Sequence, residues 1–255
     1  MHVPNGFFDA PVSIGAGVVA AAGIGLCLKG ARRELDDRTA PLAGLTAAFV
    51  FAAQMINFPV GAGTSGHLMG GALAAILVGP YTGVLCISVV LLIQMFFADG
   101  GVTAYGINVT LMGIVSVAVG YGLFRLLMAV LPKNRGGVTV ASFAGALVSV
   151  PASALAFVGL FALGGTADLS LGAVATAMLG VHVLIGIGEG VITAATVGSI
   201  AAVRPDLVHG VALAPVAPLR LRGDAGSPVG SPAGAPAGSP ADSPVDSPAA
   251  GGASA

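Results

Sequence analysis

The chain has 255 residues, 56% of them hydrophobic and only 8% charged, with a net charge of −1 and a mean hydropathy of +0.97. Soluble domains carry roughly a quarter charged residues, so a water-facing surface cannot be built from this composition, whereas a lipid-facing one can. The near-neutral balance also excludes a basic nucleic-acid face. The expected fold is an all-α, polytopic membrane protein.

The opening MHVPNGFFDAP has no basic start and no short apolar core ending in a cleavage site, so it does not read as a secretory signal. Met1 and His2 are expected to survive in the mature chain. A spanning helix needs about 20 mainly apolar residues. Apolar runs fall at 12–28, 41–58, 68–78, 82–98, 107–131, 138–163 (with Pro151 inside) and within 171–203, which makes about seven transmembrane segments. The third is too short to span as an ordinary helix and is broken at Gly79–Pro80. It is rich in Gly and Ala, which let helices pack closely in lipid. Cys27 and Cys86 lie inside apolar runs and read as packing residues rather than a disulfide.

Basic residues mark the two sides. Lys29, Arg32, Arg33 and Arg38 follow the first run; Arg125, Lys133 and Arg135 surround the end of the fifth; Arg204 follows the last. The alternate connections, 59–66, 99–106 and 164–170, contain no Lys or Arg. Positive charge stays in the cytoplasm, which places the N-terminus and the His67 loop outside and the C-terminus in the cytoplasm. Residues 1–204 form the expected transmembrane domain. Residues 205–255 are rich in Pro, Gly, Ser and Ala with repeated GlySerPro and AspSerPro, the composition of a disordered cytoplasmic tail. His209 falls in that stretch and reads as incidental.

The stretch Asn57–Gly71, NFPVGAGTSGHLMGG, interrupts the apolar pattern and places His67 at the mouth of the third run. His2 follows the first residue directly. An α-amine, the His2 backbone nitrogen and the His2 Nδ1 can close two fused rings on one metal, and a further imidazole would complete a square of nitrogens. Square-planar nitrogen ligation suits Ni(II) or Cu(II), with low-spin Co(II) also possible. Met1, His2 and His67 are therefore candidate ligands. The alternative is that the two histidines are ordinary solvated or interfacial residues. Asn57, Thr64, Ser65, Gln94, Asp99 and Asn108 are candidates to orient the imidazoles by hydrogen bonding, or to cap helices and satisfy loop backbone. His182 and Glu189, seven apart in the last segment, share a helical face. They read either as a relay or as a structural polar pair. Neither GxxxxGK[ST], GxSxG nor HExxH occurs, so no ATPase or catalytic role is expected of this chain.

MetHisValPro at the start, AsnPheProVal at 57–60, GlyThrSerGlyHisLeu at 63–68, GlyGlyAlaLeuAlaAla at 70–75, AspGlyGlyValThrAla at 99–104, Asn108 and Met112–Gly113 resemble the CbiM/NikM-type substrate-capture component of cobalt/nickel energy-coupling-factor transporters. The resemblance covers about residues 1–204. It implies a seven-helix membrane subunit with its N-terminus tucked in from outside, and ligation by the Met1 amine, the His2 backbone and imidazole nitrogens and the His67 imidazole. The metal is cargo, so no cofactor is implied. Implied partners are a transmembrane coupling (T) subunit, ATPase (A) subunits and often a small accessory membrane protein, all in the lipid bilayer of the cell membrane. The resemblance also leads one to expect an acidic residue at position 5, where this chain has Asn5.

Other readings are a capture component for a vitamin or other organic substrate, a purely structural membrane subunit, and an intramembrane protease. The first calls for an aromatic-lined pocket, but the chain has no Trp and 5% aromatics. The last needs a Ser/His or HExxH arrangement, and Ser88, Ser116 and Ser149 have no evident histidine partner in the sequence.

Overall fold

The computed structural model describes residues 2–37, 39–56, 58–61, 64–97 and 100–211. The expectations for Met1, Asn57, Asp99 and most of the C-terminal stretch lie outside these. Seven helices occur among the described residues: α1 Ala10–Ala31, α2 Thr39–Gln54, α3 Gly71–Val78, α4 Pro80–Phe96, α5 Tyr105–Val130, α6 Arg135–Gly164 and α7 Leu171–Val203.

Local chemistry sets their ends. Asp9 caps α1, its carboxylate accepting from the Val12 N–H at 2.9 Å, with Pro11 in the first turn. Asn134 and Ser170 cap α6 and α7 in the same way. Gly79, at φ +94°, and Pro80 separate α3 from α4. The Glu34 carboxylate, from the α1–α2 connection, accepts from the Tyr81 and Thr82 N–H groups at 3.2 and 2.7 Å. It thus caps α4 from another part of the chain.

Helices α1, α5, α6 and α7 are long and apolar enough to cross a membrane, and α2 and α4 are shorter apolar helices. Large apolar side chains such as Ile14, Leu26, Phe96, Leu163 and Leu184 are exposed on the outside. In water this would be untenable; in lipid it is the required surface. Helix α3 is the opposite case. All eight of its residues are buried, so it is an internal half-helix of about 12 Å.

Small residues allow the close packing that lipid-embedded helices depend on. A methyl group added at Gly106 of α5 would lie 2.5 Å from the Gly17 Cα of α1, and one at Gly120 would lie 2.6 Å from the Ala72 Cβ of α3. Pro151 inside α6 cannot donate to the Leu147 carbonyl. Gly186 of α7 packs against that same carbonyl, so closely that a methyl group there would sit 2.7 Å from it.

The chain is mostly helical, as expected, and four details differ: Phe58–Gly61 (β1) and Thr64–Gly66 (β2) pair as an antiparallel hairpin. Accordingly α2 ends at Gln54 rather than Phe58, because the chain turns back with extended backbone. Helix α3 starts at Gly71 rather than Leu68, because residues 67–70 are held by side chains described below. The fifth segment starts at Tyr105, and Val109–Val115 within it is a π-helical stretch.

Residues 205–211 pack on the bundle: the His209 N–H donates to the Ile76 carbonyl at 2.9 Å and Arg125 Nη1 to the Gly210 carbonyl at 2.8 Å.

Candidate metal centre

The N-terminal segment is strapped into the end of the bundle remote from the basic connections. The Val3 N–H donates to Asn108 Oδ1 at 2.9 Å, and the Val3 carbonyl accepts from the Gly101 N–H at 2.9 Å. Asn5 Oδ1 accepts from the Thr103 N–H and hydroxyl at 3.0 and 2.9 Å. An amide oxygen thus accepts at the position where a carboxylate was expected. Chain turn and Gly6, at φ +76°, then lead to Phe7 and Phe8. Their rings pack on Phe161 and Phe157 of α6, with centres 5.9 and 5.5 Å apart. The Thr166 N–H closes the strap on the Phe7 carbonyl, and the Asp9 N–H on the Gly164 carbonyl.

This anchoring buries His2 to 4% exposure, and His67 is buried to 1%. Their rings stack with centres 4.2 Å apart and planes 25° apart. His2 Nε2 lies 2.9 Å from Gln94 Oε1. An amide oxygen only accepts, so the ring donates from Nε2 to Gln94. His67 Nδ1 lies 2.7 Å from the Leu68 carbonyl. By the same reasoning its proton sits on Nδ1 and its lone pair on Nε2. Burial above all, with the His2 and His182 rings adding to it, holds the His67 imidazole well below the ordinary histidine range. His67 is therefore neutral at physiological pH, the form that can bind a metal.

The other sequence candidates separate. Gln94 contacts an imidazole directly. Asn108 instead anchors the backbone of Val3, at the start of the π-helical stretch, a feature common at functional sites. The side chains of Thr64 and Ser65 are not among those described. Gly100, at φ +98°, faces Asn108 and His2: a side chain there would begin 3.2 Å from Asn108 Nδ2 and 3.4 Å from His2 Cδ2. Among the described residues no group of three His, Cys, Asp or Glu side chains converges on a common point.

His182 and Glu189 do not pair with each other. His182 Nδ1 donates to the Met178 carbonyl one turn back at 2.7 Å, and its Nε2 has no hydrogen-bond partner among the described residues. The Glu189 carboxylate accepts from the Met69 N–H at 2.7 Å and from the Gly70 N–H at 3.0 Å. Gln54 Nε2 donates to the Met69 carbonyl at 2.6 Å. The sequence reading passed over Gln54, although a polar amide inside an apolar segment is itself a signal. A crevice of about 430 Å³ lies between the end of α2 and α7, walled by Ala53, Leu68, Leu184, Ile185 and Ile192 among others; neither His2 nor His67 lines it.

Comparison with known proteins gives this arrangement a context. Residues 2–207 match the family described as CbiM, cobalt uptake substrate-specific transmembrane region. A protein of Haloquadratum walsbyi that carries a metal-transport name is 42% identical over 82% of this chain and 93% of its own length. A cobalt transport protein CbiM of Sorangium cellulosum is 37% identical over 76% of this chain and 88% of its own. A crystal structure of a truncated transition metal transporter superposes with a TM-score of 0.71 at 29% identity, covering 77% of this chain and 96% of that one. The chain thus belongs to the CbiM family, and is a membrane-embedded component of cobalt and nickel transport.

Proposed function

We propose that this chain is the substrate-capture subunit of an energy-coupling-factor importer for Ni²⁺ or Co²⁺. The ion enters from outside and is held by the Met1 amine, the His2 backbone nitrogen and Nδ1, and the His67 Nε2. The observation carrying this reading is the burial of His2 and His67 against each other, with His2 Nε2 turned to Gln94 and His67 Nδ1 turned to the Leu68 carbonyl.

The basic connections lie on the cytoplasmic side and the N-terminal strap on the outer side of the cell membrane; the cytoplasmic tail begins only beyond residues 205–211, which pack on the bundle. A transmembrane coupling subunit and ATPase subunits supply the energy, since this chain carries no phosphate-binding motif. The test is metal content and affinity of the purified protein. The wild type should bind one Ni²⁺ or Co²⁺ per chain, and His67→Ala should lose at least about a hundredfold in affinity while keeping its helical content. Wild-type affinity in His67→Ala rejects the reading.

A further inference from the structure

The Leu68–Met69 peptide carries two contacts at once. Its carbonyl accepts the Nδ1 proton of His67 at 2.7 Å. Its N–H donates to Glu189 at 2.7 Å. The next peptide, Met69–Gly70, is gripped at both ends too, by Gln54 on the carbonyl and by the other Glu189 oxygen on the N–H. A peptide is a rigid, polarisable plane. A carboxylate accepting at its N–H end makes its carbonyl a better acceptor, and hydrogen bonds in series strengthen one another. Metal-binding histidines are commonly oriented by a carboxylate on the far ring nitrogen. Here a carboxylate reaches the ring through one intervening peptide.

The helix architecture explains why the carboxylate comes from so far away in sequence. Gly70 precedes α3 at φ +76°, and a side chain there would meet Val50 at 2.7 Å. No local residue caps α3. Its amino end is buried, where unsatisfied N–H groups are costly and a negative charge is favoured. Glu189, 1% exposed in the middle of α7, fills that position.

We infer that Glu189 is a positioning residue for the captured cation: through the Leu68–Met69 peptide it fixes His67 in the Nδ1–H tautomer, with Nε2 presented to the metal. This rests on the reading of His67 as a ligand. Glu189 couples the His67 loop to α7, and Gln54 steadies the same loop from α2.

The test combines tautomer and affinity. In ¹⁵N-histidine NMR of the metal-free protein in nanodiscs, wild-type His67 should be protonated on Nδ1, and Glu189→Gln should show a mixture of tautomers. Ni²⁺ affinity should fall at least tenfold in Glu189→Gln, and adding that change to His67→Ala should cost nothing further. Gln54→Leu, which leaves the Leu68–Met69 peptide in the Glu189 grip, should keep the wild-type tautomer and lose less affinity than Glu189→Gln. A wild-type His67 protonated on Nε2 overturns the inference without any variant. Unchanged affinity in Glu189→Gln, or an equal loss with and without His67, overturns it as well. Wild-type affinity in His67→Ala would instead remove the ligand reading beneath it, so the two failures are told apart.

Discussion

His2 and His67 meet face to face, with ring centres 4.2 Å apart, yet each is delivered by a different wall of the bundle. Gln94 of α4 and Asn108 of α5 fix His2 and the backbone beside it. Gln54 of α2 and Glu189 of α7 fix the loop that carries His67. Disturbing either wall should weaken the site without any ligand being touched.

The chain terminus is the sharpest place to test the proposed chelate. One alanine inserted ahead of Met1 moves the first histidine to third place. Its chelate would then include a second backbone amide and fill the square, leaving no corner for His67. Nickel and cobalt uptake by cells making this variant should fall to background. Uptake at the wild-type rate would remove the amine from the ligand set.

Gln94 is a direct partner of His2, and loss of such partners commonly costs 10–100-fold in metal affinity. Gln94→Leu should fall in that range, measured by competition with a chromogenic chelator. Gln94→Glu keeps an acceptor for the Nε2 proton and should lose far less. Equal losses in both would mean that the amide fills space rather than orienting the ring.

Gly101 donates its N–H to the Val3 carbonyl, and a side chain there would press on the Asn5 backbone and on Asn5 Oδ1. Gly101→Val should push the N-terminal strap outward. Overpacking of this kind costs about 1–3 kcal/mol. The expected result is a lower melting temperature together with at least a tenfold loss in metal affinity. A stable variant with full affinity would show that the strap tolerates displacement.

The depressed His67 value gives stability a predictable pH dependence. A buried imidazole held below the ordinary range of about 6.5 takes up its proton later than the same group in the unfolded chain. The unfolded state then binds more protons, so stability falls as pH drops below about 6.5. The fall continues until the folded-state value is reached. In thermal melts of the metal-free protein between pH 7.5 and 5, the melting temperature should decline, and His67→Gln should flatten that decline. A wild-type curve as flat as that of His67→Gln would show that the burial of His67 does not carry this linkage.

Composition and the placement of long apolar runs were enough to read a mostly helical membrane protein and the approximate positions of its apolar helices, because a backbone in lipid must satisfy its own hydrogen bonds and runs of this length do so as helix. The 171–203 segment coincides with α7, and the break at Gly79–Pro80 is where α3 gives way to α4. The hairpin and the late start of α3 escaped, because Gly-rich extended backbone beside an apolar run carries no periodicity to read. His2 and His67 could be singled out because a second-position histidine and a histidine in a Gly-rich loop each suggest a chemistry by type alone.

Which polar groups attend them was a matter for the tertiary structure. Gln94, Asn108, Gln54 and Glu189 lie on four different helices, and sequence spacing orders residues within a helix but says nothing about which faces of separate helices converge. His182 and Glu189 illustrate the point: a shared face suggested a pair, yet packing turned Glu189 to the amino end of α3 and left His182 on its own helix backbone. The sequence by itself determined the solvent and the helices, and it singled out His2 and His67 as candidate donors. Only the packing of small residues across those helices decided which donors face each other, because in lipid it is close contact between particular faces, not apolar character, that sets the arrangement.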